Sequence, residues 1–156
     1  MKVSEILNEK LIATGLEAAD KHDVIDKMIE LASASGNMIN KERVKECVLE
    51  REKLVSTGVG KGFAIPHGKT DEIRDIVAAF AILKTPVDFD SIDLEPVKYV
   101  FLVVGKESLL NAHIKLLSKI SRMMNKEEFR EQLDEAKSPS EVLNMFRQEE
   151  QAASES

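Results

Sequence analysis

Two apolar runs constrain the fold of this chain more than any other feature. Ile76 to Leu83 reads IVAAFAIL, and Val97 to Val104 reads VKYVFLVV. Both are short, rich in β-branched or aromatic residues, and separated by turn and acidic residues. Runs of this length without polar alternation are expected of central strands covered on both faces. Phe63 to Ile65 is expected to add a shorter strand, with Pro66 restricting the backbone at its end.

The segments on either side carry helical spacing. Val24, Ile25, Met28, Ile29, Leu31 and Ala32 recur along one face, with Asp20 available as a cap and Gly36 as a stop. Asn40 is placed to cap a second helix through Val44, Cys47 and Val48 towards Arg51 and Lys53. The turn from Ser35 to Ile39 would pack these two as a hairpin. A long helix is expected over Leu109 to Met124 and a short one, capped by Asn125, through Phe129 and Leu133. A last helix starts where Pro139 takes the first helical position. This order of helices, strands and helices predicts an α/β fold: a single domain with a central mixed β-sheet flanked by helices on both faces. The domain is expected to span residues 1–147, and residues 148–156, QEEQAASES, to form a polar, disordered tail.

Composition narrows the function classes. At 156 residues, 43% hydrophobic and 32% charged, the chain has the balance of one soluble globular domain. The formal net charge of −6, the lack of a basic cluster and the absence of Trp argue against nucleic-acid binding. A single cysteine, Cys47, permits no internal disulfide and no thiolate zinc site, and it reads as a packing residue. The N-terminus has no signal-peptide pattern and no stretch is long enough to insert in a bilayer, so a cytoplasmic location is expected.

The stretch STGVGKGFAIPHGKT, Ser56 to Thr70, ends like a nucleotide-binding loop in Gly68-Lys69-Thr70. A Walker A loop would require glycine where Phe63 stands, and Gly58, Gly60 and Gly62 alternate too closely for a dinucleotide fingerprint. What remains is Pro66-His67-Gly68. Pro66 fixes its own φ and biases Ile65 towards an extended backbone, while Gly68 is expected to leave space beside the imidazole and to allow a sharp turn. The bare residues allow either a surface histidine in a turn or an imidazole presented at a strand end.

The segment from Arg51-Glu52 through STGVGKGFAIPHG resembles the phosphorylation-site motif of phosphotransferase-system IIA domains of the fructose–mannitol class. It also resembles the related nitrogen-regulatory IIA proteins. The opening KLIATGLEAADKHDVIDKMIELA and the later VDFDSIDLEPVKYVFLVV and LNAHIKLLSKISRMMNKEEFREQL match in type and order, so the resemblance covers most of the chain.

The resemblance implies that His67 accepts a phosphoryl group from the phosphocarrier HPr and passes it to a IIB domain. In the nitrogen-type branch, its phosphorylation state would instead control partner proteins. It implies no cofactor and no metal, and a phosphohistidine whose formation is speeded chiefly by alignment and by neutralisation of the phosphoryl oxygens. His113 matches the family's second histidine. Leu109, His113, Leu116, Ile120 and Met123 follow a four–three–four–three spacing, which places His113 on the buried stripe of its helix. There it is either a core histidine with one partner or a hydrogen-bond donor to the phosphoryl oxygens. Arg51 matches the arginine of the Arg-Glu pair, and its planar fork suits a phosphoryl group or a helix C-terminus. Ser56 and Thr57 offer hydroxyls and N–H groups to the same oxygens, or simply break the helix. Glu52 is left outside the catalytic set, and Lys61 and Lys69 read as solvated. A non-catalytic binding module and a His67–His113 metal hydrolase are the competing readings. The second lacks any His-x-x-x-His or clustered carboxylates.

Overall fold

The computed structural model describes residues 1–155, with side chains through residue 153. Strand β6, Val97–Gly105, is the axis of the fold, because it is paired along both edges. On one edge runs β5, Val77–Val87, antiparallel to it with Phe80 opposite Phe101. On the other edge two short strands lie end to end, both parallel to β6: β3, Phe63–Ala64, opposite Tyr99 and Val100, then β4, His67–Lys69, opposite Val103 to Gly105. Ile65 and Pro66 interrupt what would otherwise be one strand. Strand β1, Ile12–Leu16, lies parallel to β5 at one margin, and β2, Gly58–Gly60, lies antiparallel to β3 at the other. The sheet is therefore mixed, in the order β1-β5-β6-β3-β2 with β4 continuing along β6.

The two unbroken apolar runs divide between the faces with a period of two. Ala78, Phe80, Ile82, Tyr99, Phe101 and Val103 turn to one face, which is covered by helices α3 (Leu110–Met124), α4 (Glu127–Glu135) and α5 (Pro139–Glu155). Val77, Ala79, Ala81, Leu83, Val100, Leu102 and Val104 turn to the other, beneath α1 (Lys21–Ala32) and α2 (Lys41–Leu54). Helices on both faces explain why neither run alternates with polar residues.

Two expected caps are present: Asp20 accepts from the Asp23 N–H and Asn40 from the Arg43 N–H. Helix α1 itself ends at Ala32, and Gly36, with φ +74°, closes the 3-10 turn Ser33–Ser35 that follows it. Two boundaries differ from expectation. Asn125 closes α3, its N–H bonding to Ser121 O, and Lys126 stands before α4 instead. Leu109 is 56% exposed and sits in a 3-10 turn, so the buried stripe of α3 begins at His113.

The polar C-terminal segment is also not the frayed tail that its composition suggests. Helix α5 continues to Glu155, and the Glu150 carboxylate accepts the N–H groups of Val3 at 2.5 Å and Ser4 at 2.8 Å. These donors open a 3-10 turn, Val3–Glu5, and have no partner within it, so a carboxylate from the far end of the chain satisfies them. The last residue, Ser156, lies outside the described residues.

Phe146 of α5 anchors the helical layer. Its ring meets Phe80 and Phe101 of the sheet and Phe129 of α4 at centroid distances of 5.0, 5.6 and 5.2 Å, all edge-on. Phe146→Ala removes a fully buried ring from that junction and is expected to cost about 3–5 kcal/mol, measurable by urea unfolding.

Candidate functional site

The C-terminal ends of β4 and β6 converge with α2 and α3 on an open cleft of about 790 Å³. Such ends are where open α/β sheets place their ligands. Strand pairing sets which side chains arrive there. His67 is in register with Val103 and shares its face, the one towards α3, whereas the next residue, Gly68, turns towards α2. His113 comes up from the first turns of α3, and its ring centroid stands 5.8 Å from that of His67, with the planes inclined by 51°.

The His67 ring is oriented by its own strand. Its Nδ1 lies 2.8 Å from the carbonyl oxygen of Ile65. A carbonyl can only accept, so Nδ1 carries the hydrogen and Nε2 keeps its lone pair. Burial lowers the His67 pKa; the Ile65 carbonyl and Glu52 act against this, and Arg51 and Lys69 with it. The net direction is downwards, which favours the neutral ring, the nucleophilic form.

His113 is 5% exposed, and neither of its ring nitrogens has a hydrogen-bond partner among the described residues. Burial first, and then the positive potential of His67 and Lys69, push its pKa down to about 4. A buried imidazole with both nitrogens unsatisfied is costly, which is an unusual condition for a residue that serves only the core.

Two glycines let the helices close on the sheet here: Gly105 beneath α3 and Gly68 beneath α2. A Cβ on Gly105 would stand 2.7 Å from His113 Nδ1, so the close passage of α3 over the end of β6 requires glycine there. A Cβ on Gly68 would meet Cys47 Sγ at 2.7 Å. The space Gly68 leaves is thus filled by helix α2 rather than by an imidazole, and its backbone is a strand residue, not a sharp turn. Cys47 lines the cleft with its thiol 3.0 Å from Lys69 O, and burial raises its pKa.

Arg51 reaches the cleft from the last turn of α2, where its Nη1 donates to Val55 O at 2.9 Å. Lys69 lies on the cleft wall as well. Ser56 and Thr57 do not join them. The Ser56 hydroxyl donates to Phe89 O at 2.6 Å, and Thr57 is buried against Glu52, so both hydroxyls are committed to the turn after α2. The rim carries exposed aliphatic side chains: Leu54 (77%), Ile114 (53%) and Leu110 (44%). Among the described residues, no group of three or more His, Cys, Asp or Glu is placed to hold a metal ion. Nor is any helix there long and apolar enough to cross a membrane.

Residues 5–149 match the family model for the phosphoenolpyruvate-dependent sugar phosphotransferase system, EIIA 2. The chain belongs to this family. Among its EIIA relatives is the fructose-specific EIIABC component of Bacillus subtilis, 36% identical over 95% of this chain but only 23% of that protein. The chain therefore spans about a quarter of that relative's length. The fructose-specific EIIA component of Haloferax volcanii is 33% identical over 92% of this chain and 94% of its own. The crystal structure of the nitrogen regulatory protein IIA-Ntr from Neisseria meningitidis superposes with a TM-score of 0.87, at 31% identity over 92% of this chain and 98% of that one.

The buried EIIA histidine also links stability to pH. His113 has a pKa near 4 in the folded state and near 6.5 when exposed, so between those values the unfolded chain binds the extra proton. The stability this confers is complete above pH 6.5 and is lost as pH falls to 4, to a total of about 3 kcal/mol. Denaturation midpoints measured from pH 4 to 7 should fall more steeply for the wild type than for His113→Gln.

Proposed function

We propose that this chain is a phosphoryl carrier whose acceptor atom is Nε2 of His67. The observation that carries the reading is the pair of imidazoles in one cleft: half-buried His67 has its Nδ1 held by Ile65 O, which leaves Nε2 free, and buried His113 has both nitrogens unsatisfied among the described residues. A phosphoryl group on Nε2 would give His113 acceptor oxygens at the place where it has none among the described residues.

The step is an exchange of P–N bonds. The lone pair of His67 Nε2 attacks the phosphorus of a phosphohistidine donor, and the donor's P–N bond breaks with its electron pair returning to the departing imidazole. The Nδ1 hydrogen stays on Nδ1, bonded to Ile65 O, which stabilises the positive charge that develops on the His67 ring. In a loose transition state the charge lies on the three peripheral oxygens. His113 in its neutral form donates one N–H to them, and Arg51 and Lys69 supply positive potential. In onward transfer a nucleophile of the acceptor protein forms the new bond to phosphorus as the His67 Nε2–P bond breaks, its electron pair returning to the His67 ring.

Both partners in this reading are proteins. The donor is an HPr-type phosphocarrier, and the aliphatic rim of Leu54, Leu110 and Ile114 offers it an apolar seat around a polar centre. The acceptor is a IIB domain of the fructose or mannitol class, in keeping with the fructose-specific relatives. The likeness to the nitrogen regulatory structure favours a second outlet, in which the phosphorylation state of His67 governs a regulated protein.

The direct test is incubation with phosphoenolpyruvate, Enzyme I and HPr, then an assay for acid-labile phosphate. Wild type is expected to label and His67→Ala to remain unlabelled; label retained in His67→Ala would sink the assignment. Adding a IIB domain should discharge the label if the transport branch holds. Gly105→Ala is expected to displace His113 and slow transfer on the order of 10–100-fold with the fold retained, by rapid-quench kinetics and circular dichroism.

A further inference from the structure

Glu52 stands outside the cleft, yet it is buried at 7% exposure and its carboxylate is held from three directions. The Thr57 N–H donates to Oε2 at 2.8 Å and the Thr57 hydroxyl to Oε1 at 2.5 Å. The Lys21 ammonium, from the first turn of α1, pairs with Oε2 at 2.8 Å and lies 4.9 Å from the centroid of the Phe89 ring. The connection continues beyond Thr57. Its carbonyl accepts from the Ile65 N–H at 3.1 Å, and the Ile65 carbonyl accepts from His67 Nδ1 at 2.8 Å.

A line of hydrogen bonds thus runs from a buried carboxylate to the ring of the histidine, through two backbone residues. The break between β3 and β4 makes this line possible. Pro66 has no N–H to give, its carbonyl is taken by the Val103 N–H, and the Ile65 carbonyl is left to face the imidazole. The position of Ile65 then depends on Thr57, and that of Thr57 on Glu52. A turn that needed only mechanical closure would be served as well by an apolar side chain, since burying a carboxylate carries a desolvation cost. The charge has a second effect, because it opposes Arg51 and Lys69 in setting the basicity of His67.

We propose that Glu52 is a positioning residue for phosphoryl transfer: acting through Thr57 and Ile65, it holds His67 in the tautomer that leaves Nε2 free. Lys21 is the outer anchor of the same line. The inference rests on His67 as the phosphoacceptor.

The test uses the unphosphorylated full chain, with the His67 tautomer read by long-range nitrogen–proton NMR correlation across a pH titration. Glu52→Gln keeps one acceptor for the Thr57 N–H but loses the charge and the second acceptor. It should raise the population with hydrogen on Nε2 and move the His67 titration to lower pH. In the HPr-driven assay kcat should fall on the order of tenfold through misalignment of the reacting ring, with KM for HPr unchanged. Thr57→Val should reproduce part of the effect and Thr57→Ser restore the wild-type tautomer. A wild-type tautomer ratio and titration in folded Glu52→Gln would overturn the proposal. If that variant fails to fold, identical tautomer ratios in Thr57→Val and Thr57→Ser would overturn it instead. The NMR readout needs no phosphoryl donor, so a failure of His67 to label is a separate result that sinks only the phosphoacceptor reading.

Discussion

Strand β6 is covered on both faces and paired on both edges, and the site is built on the point where it ends. A strand so enclosed has no freedom to slip, because a shift of one residue would turn Tyr99, Phe101 and Val103 away from their layer. Its neighbours inherit that certainty. His67 takes its position from the register of β4 on Val103, and His113 takes its own from the passage of α3 over Gly105. Two imidazoles from distant parts of the chain therefore meet without either being placed by a flexible loop.

The electrostatics are a product of that enclosure. Both histidines are driven towards neutrality by burial; Lys69 pushes both in the same direction, and Arg51 adds to it at His67. A cleft that keeps its imidazoles unprotonated while holding positive potential nearby is suited to an incoming anion and poorly suited to holding a resident cation. The aliphatic rim around this centre is equally telling. Exposed leucine and isoleucine at the mouth of a polar cleft favour a partner with an apolar surface of its own over a free sugar.

Much of this was legible in the residues. The continuous apolar runs revealed a sheet covered on both sides, and the capping residues Asp20 and Asn40 marked their helices correctly. The helical spacing through Leu116, Ile120 and Met123 placed His113 inwards. Other features were hidden for physical reasons. Strand β1 contains Thr14 and Gly15 and is defined by its pairing with β5 rather than by its own composition. The C-terminal helix looks too polar to be ordered because Glu150 finds its donors at the opposite end of the sequence. Ser56 and Thr57 have the right chemistry for phosphate, but the sequence cannot show that Phe89 O and Glu52 already engage them. Gly105 left a trace, as a glycine closing a central strand, yet only the distance to His113 gives it meaning.

The interruption at Ile65 and Pro66 has a consequence for how such a chain can change. The orienting carbonyl and the imidazole it holds lie two residues apart on one short segment, so the ring carries its own alignment with it. Side chains on a strand alternate between the faces, and here the two faces belong to different helices: α3 with its histidine on one, α2 with Cys47 on the other. A single residue inserted between Pro66 and His67 would therefore rotate the ring to the wrong side and part it from Ile65 together. Substitutions in this segment can be graded in their effects, but changes in its length are all-or-none.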